Sequence, residues 1–153
     1  IAKIPDGNTL WHRMGDVGYF DEQGRFWYCG RKAQRIRHGN GDLFTVPIES
    51  VFNSLPNVKR TALVGVGPDQ GRPVLVVEFE PSYQTANTGQ ALWDQWSSIE
   101  PRIEEIWYGE HSFTSFPIIL IHKCLPTDVR HNAKINREQL AAWATEQLAS
   151  ADR

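Results

Sequence analysis

Two apolar, β-branched runs, "RTALVGVG" (60–67) and "PVLVVEFE" (73–80), constrain this chain more than any other feature. Each has strand length and carries few polar side chains at alternate positions, so each reads as a strand covered on both faces rather than one wetted on one side. The turn-rich "PDQGR" between them makes them neighbours in a central sheet. A sheet of that kind needs helices to cover it, and the chain supplies candidates. From Pro47 onward, Ile48, Val51, Phe52 and Leu55 fall at helical spacing, and Pro56 stops the run. Over "ALWDQWSSIEPRIEEIW" (91–107), Leu92, Trp96, Ile99, Ile103 and Ile106 alternate steps of four and three, with a break or kink at Pro101. "FPIILIHK" (116–123) offers another strand, and Asn136 with Gln139 three residues later has the spacing of a capping box that opens a last helix burying Leu140, Trp143 and Leu148.

Ahead of these elements, aromatic-rich runs flank Asp21-Glu22-Gln23-Gly24 in "GYFDEQGRFWYCGR". A type I turn closing on Gly24 at positive φ would join them as a hairpin. A second pair of short strands, 34–37 and 43–46, brackets "HGNGD". The order is therefore hairpin, helix, two strands, long helix, strand, loop and helix. That is an α+β architecture, with a terminal hairpin, a second hairpin, and a roughly three-stranded sheet covered by helices.

The 153 residues suffice for one domain, or for a small domain carrying a piece of another. The chain opens on Ile1 without an initiator methionine, in turn-like polar sequence, so a fragment of a longer protein is the expectation. Sixteen Lys plus Arg against eighteen Asp plus Glu gives a net charge of −2, which is not the footprint of a nucleic-acid binder. The aromatics also fall at core spacing, and no aromatic RNP element is present. No apolar run approaches the about 20 residues that cross a bilayer. Cys29 and Cys124 lack CxxC spacing and read as unpaired thiols of a reducing, cytoplasmic compartment. Neither His122 nor His131 has metal-ligand spacing, so no metal site is expected within the chain. For His131 a backbone hydrogen bond is favoured over a general-base role, and Asn132 is read as shaping its loop.

Half of the sixteen cations lie in two stretches: Arg31, Lys32, Arg35 and Arg37, and Lys123, Arg130, Lys134 and Arg137. Most read as solvated faces. Lys134 stands apart. It precedes the expected N-cap by two residues, where free N–H groups and the helix dipole already carry positive charge. A cation there gains nothing from the helix, and the two together suit an anion such as a phosphate or carboxylate.

"WHRMGDVGYFDEQGRFWYCGR" resembles the segment of the adenylate-forming superfamily, the acyl-CoA synthetase and luciferase-like enzymes, in which Tyr-Arg-Thr-Gly-Asp precedes a hairpin and a Gly-Arg pair. The matching residues are Arg13, Gly15, Asp16, Gly30 and Arg31. "VPIESVFNSLPNV" looks like that family's first helix after the hinge, and "LPTDVRHNAKINREQL" like its closing signature. Three motifs in order make the resemblance cover nearly the whole chain. It implies that residues 1–32 end a large adenylation domain and that 33–153 form a mobile C-terminal lid. It also implies that Asp16 hydrogen-bonds the ribose hydroxyls of ATP, that Arg31 reaches the nucleotide, and that Lys134 is catalytic, contacting the substrate carboxylate and the α-phosphate. ATP and Mg²⁺ would be held mainly by the large domain.

Three features depart from the common pattern: Met14 replaces the usual threonine, Ala33 replaces the hinge residue, and "NAK" replaces Ser-Gly-Lys. The last of these, with "WHRMGD", "FWYCGR" and "VRHNAKI", looks most like the olefin β-lactone synthetases of bacterial hydrocarbon biosynthesis. Those relatives activate a 2-alkyl-3-hydroxy fatty acid as its acyl-adenylate, after which its own hydroxyl closes a β-lactone and AMP departs. An intramolecular nucleophile makes a CoA-receiving lid orientation unnecessary, in keeping with Ala33. The implied partners are the hydroxy acid or another fatty acid, ATP and AMP, the chain's own large domain, and other enzymes of the olefin pathway. A fatty acyl-CoA ligase or fatty acyl-AMP ligase shares nearly all these motifs and is the alternative. A stand-alone binding module is a third reading.

Overall fold

The computed structural model describes residues 3–38, 41–83, 118–128 and 131–151. At its centre are β7 (Val58–Val66), β8 (Arg72–Phe79) and β9 (Ile118–Ile121), in the order β7-β8-β9. β7 and β8 pair antiparallel, Leu63 opposite Leu75, as the two apolar runs require. β9 pairs with β8 in parallel, Val74 with Ile118 through Val77 with Ile121. The helix expected over 91–107 lies outside the described residues.

Alternation along the strands divides the core into two layers. Leu63, Leu75, Val77 and Phe79 face α1 (Thr45–Asn53), meeting Ile48, Val51 and Phe52. Ala62, Val64, Val74 and Val76 face the opposite way, toward Leu125 and α2 (Arg137–Ala151), which contributes Leu140 and Ala144. Both faces of the sheet are thus covered, and the near-continuous apolar runs follow from that. Each fully buried Phe, Leu or Val contributes about 1.5–3 kcal/mol. Trp143 and Leu148 pack around the second layer but stay partly exposed.

α1 begins at Thr45, two residues earlier than Pro47 suggested, so Pro47 sits inside the first turn, where its missing N–H has no helical acceptor to lose. The strands expected at 34–37 and 43–46 are correspondingly displaced. A 3₁₀ turn takes Lys32–Gln34, and the pair is β5 (Ile36–His38) with β6 (Gly41–Leu43). At the start of α2, Asn136 Oδ1 accepts the Gln139 N–H at 3.1 Å, which is the expected cap.

The aromatic hairpin pairs β3 (Asp16–Phe20) with β4 (Phe26–Arg31). Its turn is closed by Gly24 N–H to Asp21 O at 2.9 Å, with Gly24 at φ +77°. Asp21 staples the loop, accepting from the Gln23 and Arg25 N–H groups, Arg25 Nε and Trp27 Nε1. The Trp27 hydrogen bond leads the causes that hold its carboxyl below its ordinary value.

The expectation that the aromatics fill a core fails here. Tyr19, Phe20, Phe26, Trp27 and Tyr28 are all exposed, Phe20 to 72%. Four of them pair across the strands instead, Tyr19 stacked on Trp27 and Phe20 tilted against Phe26. A two-stranded ribbon has two faces, and among the described residues no second layer covers these side chains.

The polar opening sequence is also not loop. β1 (Lys3–Asp6) and β2 (Thr9–His12) form a hairpin whose residues are exposed throughout. Asp6 holds it, accepting from Thr9 Oγ1 at its carbonyl and from Trp11 Nε1 at its carboxylate.

Candidate functional site

Two separate pieces of local structure carry the residues singled out by sequence. At the base of the aromatic hairpin, Asp16 and Arg31 are register partners. Arg31 Nη1 lies 3.1 Å from Asp16 Oδ1 and also donates to the Met14 carbonyl. Lys32 N–H to Gly15 O, at 2.8 Å, ties the strand ends together. Both side chains remain well exposed, and Asp16 Oδ2 has no partner among the described residues. A carboxylate oxygen left open beside a guanidinium can accept from a hydroxyl while the cation meets a nearby anion.

The second piece is a short hairpin, β10 (Thr127–Asp128) with β11 (His131–Ile135), joined by Thr127–Ile135 and Asp128–His131 pairings. Lys134 lies on β11, one residue before Ile135 and two before the helix cap. Its side chain is exposed, and no carboxylate among the described residues pairs with it. The geometry matches the expectation of a lysine just ahead of a helix N-terminus, with the refinement that a strand carries it.

The supports of this hairpin could not be read from the sequence. At its entry, Leu125 N–H donates to Glu78 Oε2 at 2.7 Å and Arg60 Nη2 donates to Leu125 O at 3.2 Å. Glu78 is fully buried, yet it is satisfied by Lys59 Nζ and Arg60 Nε, each at 2.7 Å. Burial pushes its carboxyl upward, but the hydrogen bonds from Lys59, Arg60 and Leu125 outweigh this, and the net shift is downward. At the exit, Asn136 N–H donates to Pro126 O at 2.8 Å. Arg137 then reaches Glu49 with both guanidinium arms, at 2.7 and 2.9 Å.

His122 accepts the Cys124 N–H at Nδ1 and meets Trp143 edge-on, a structural role. Cys29 and Cys124 are free thiols, the first buried and the second exposed. Lys32, Ala33, Arg35 and Arg37 line an open cleft beside Asp69 and Gln70. Among the described residues, no helix is long and apolar enough to cross a membrane.

No known protein-family model matches the chain. It is 44% identical over 137 residues to the olefin β-lactone synthetase of Xanthomonas campestris pv. campestris, which takes in 89% of this chain and 23% of that protein. It is 45% identical over 153 residues to the olefin β-lactone synthetase of Stenotrophomonas maltophilia, covering 95% of this chain and 25% of that protein. The chain therefore spans about a quarter of the length of these relatives. Among solved structures, it resembles the anthranilate CoA ligase AuaEII in complex with anthranoyl-AMP, with TM-score 0.66, 21% identity, and coverage of 93% of this chain and 26% of that one. It also resembles the O-succinylbenzoate coenzyme A synthetase of Bacillus subtilis in complex with AMP, with TM-score 0.60, 20% identity, and coverage of 88% and 24%. At those identities the likeness speaks for the fold alone, and the fold agrees with the sequence kinship. The chain belongs to the adenylate-forming superfamily, matching a C-terminal part of the olefin β-lactone synthetases.

Proposed function

We propose that this chain is the lid-bearing part of an ATP-dependent, AMP-forming enzyme that activates a long-chain 3-hydroxy fatty acid and converts the acyl-adenylate to a β-lactone. The observation that carries the reading is Lys134: an exposed ammonium, with no carboxylate partner among the described residues, on a hairpin fastened at both ends. When a carboxylate attacks the α-phosphorus, two anions must approach while negative charge builds on phosphate oxygens. A lysine carried in by a lid offsets that repulsion and stabilises the charge that develops. Asp16 would take the ribose hydroxyls through its open oxygen, with Arg31 beside it toward the phosphate. Residues 1–32 would close the large domain, and 33–153 would form the lid, with the 3₁₀ turn around Ala33 as the joint. The magnesium that accompanies ATP would be held mainly by the large domain of the full-length enzyme. The cytoplasm is the proposed setting.

The full-length enzyme tests this directly. Lys134→Ala should lower ATP–pyrophosphate exchange by at least about 100-fold, equivalent to about 2.7 kcal/mol of transition-state stabilisation, while ATP binding changes little. Near-normal exchange would remove Lys134 from the chemistry. Incubation with ATP, a 2-alkyl-3-hydroxy fatty acid and CoA, followed by mass analysis, separates the readings of the product. A β-lactone supports the proposal, whereas a CoA thioester as main product would assign the chain to an acyl-CoA ligase.

A further inference from the structure

Arg137 stands where a cation is doubly unfavourable. It is the first residue of α2, against the positive end of the helix dipole, and its side chain is four-fifths buried. Burying an ion pair contributes little net stability compared with apolar side chains of similar size. The Glu49–Arg137 pair must therefore supply something other than helix or core stability, and its contacts show what.

Among the described residues β7 is an edge strand of the sheet, and no strand pairs with its outward-facing peptide group at Leu63. Glu49 Oε1 accepts the Leu63 N–H at 2.7 Å, and Arg137 Nη1 donates to the Leu63 carbonyl at 2.9 Å. One carboxylate and one guanidinium, joined by two bonds of their own, thus occupy the positions a neighbouring strand's peptide would take. The guanidinium fork fixes orientation as well as distance. It sits three residues after Lys134, and the intervening Ile135 and Asn136 are held to Thr127 and Pro126.

We infer that Glu49 is a positioning residue for Lys134: through Arg137 it locks the exit of the lysine-bearing hairpin to the outer edge of β7. This rests on the reading of Lys134 given above. Neither Glu49 nor Arg137 touches the reacting atoms. Their effect is on where the ammonium stands relative to the sheet, and small displacements of a catalytic charge are costly to rate.

The test uses the full-length enzyme and ATP–pyrophosphate exchange. Glu49→Gln keeps the side chain's shape and an acceptor for Leu63 but removes the charge that holds the fork. It should lower kcat by about 10–100-fold with the KM for ATP within about twofold. Arg137→Lys, which keeps the charge and loses the fork, should do the same. In a Lys134→Ala background Glu49→Gln should have no further effect, because a residue acting through the lysine has nothing left to position. An equal loss in both backgrounds, or an unchanged kcat for Glu49→Gln beside a damaged Lys134→Ala enzyme, overturns the inference and leaves the Lys134 reading standing. If Lys134→Ala is itself fully active, that reading fails and the inference falls with it. If neither Glu49→Gln nor Arg137→Lys folds, the pair is a stability element and the positioning role is rejected.

Discussion

Replacing Glu78 asks how a buried carboxylate can be tolerated in a β-strand core. Its oxygens receive Lys59 Nζ, Arg60 Nε and Leu125 N–H, each at 2.7 Å. Glu78→Ala leaves the Leu125 N–H buried without an acceptor, a loss of about 1–3 kcal/mol. It also strips Arg60, whose side chain is only one-quarter exposed, of its carboxylate, leaving the longer contact to Leu125 O. Lys59 is free to turn to solvent. Together these amount to about 3–5 kcal/mol.

Glu78→Gln is gentler, because its carbonyl oxygen can keep Arg60 and Leu125 while its amide faces the movable Lys59. The cost is then the charge-assisted part alone, about 1–2 kcal/mol. The folded carboxyl titrates below its ordinary 4.5, so the charge contributes fully above that value and is lost as the pH falls through the folded pKa. Urea unfolding followed by tryptophan fluorescence, at pH about 7, 5 and 3.5, should show a gap between native chain and Glu78→Gln that holds to about 5 and then narrows. Equal stability at neutral pH, or a gap that widens on acidification, would refute the reasoning.

Two further substitutions test the local geometry. Gly65→Ala would drive a Cβ into the Gln70 carbonyl oxygen, where the β7–β8 connection folds back on its own strand. The backbone must move, and a loss of about 2–3 kcal/mol or more is expected in urea titration. Asn136→Ala removes the acceptor for the Gln139 N–H and should cost about 1 kcal/mol, read as a lowered midpoint with unchanged denaturant slope.

The sheet and its two covering layers were legible because β7 and β8 are apolar on both faces, and continuous apolar runs are a signal that survives without context. Asn136 and Gly24 were legible for a similar reason, since caps and turns depend on a few neighbouring atoms. The β1–β2 hairpin was missed because it buries nothing, although Asp6-Gly7 in "IPDGNTL" is a hairpin turn signal. The exposed aromatics were misjudged because hydrophobic spacing predicts a face and not what lies against it. At the candidate site, Asp16 and Arg31 came from motif resemblance and Lys134 already from its place ahead of the helix cap, whereas Glu49 and Glu78 came only from the fold. Glu49 lies 88 residues from Arg137, and Glu78 lies 47 from Leu125. Pairings at such separations leave no local trace.

The parallel union of β8 and β9 has a consequence for the order in which the molecule assembles. β7 and β8 meet across a five-residue connection, while β9 must return from 38 residues further along. Loop closure at that range is slower and entropically dearer than zipping a hairpin. During synthesis, the β7–β8 ribbon and α1 can form while everything beyond Tyr83 is still being made. β9, the clasp at Leu125 and the helix that starts at Arg137 all arrive afterward, so the hairpin that carries Lys134 acquires its shape later than the ribbon it rests on.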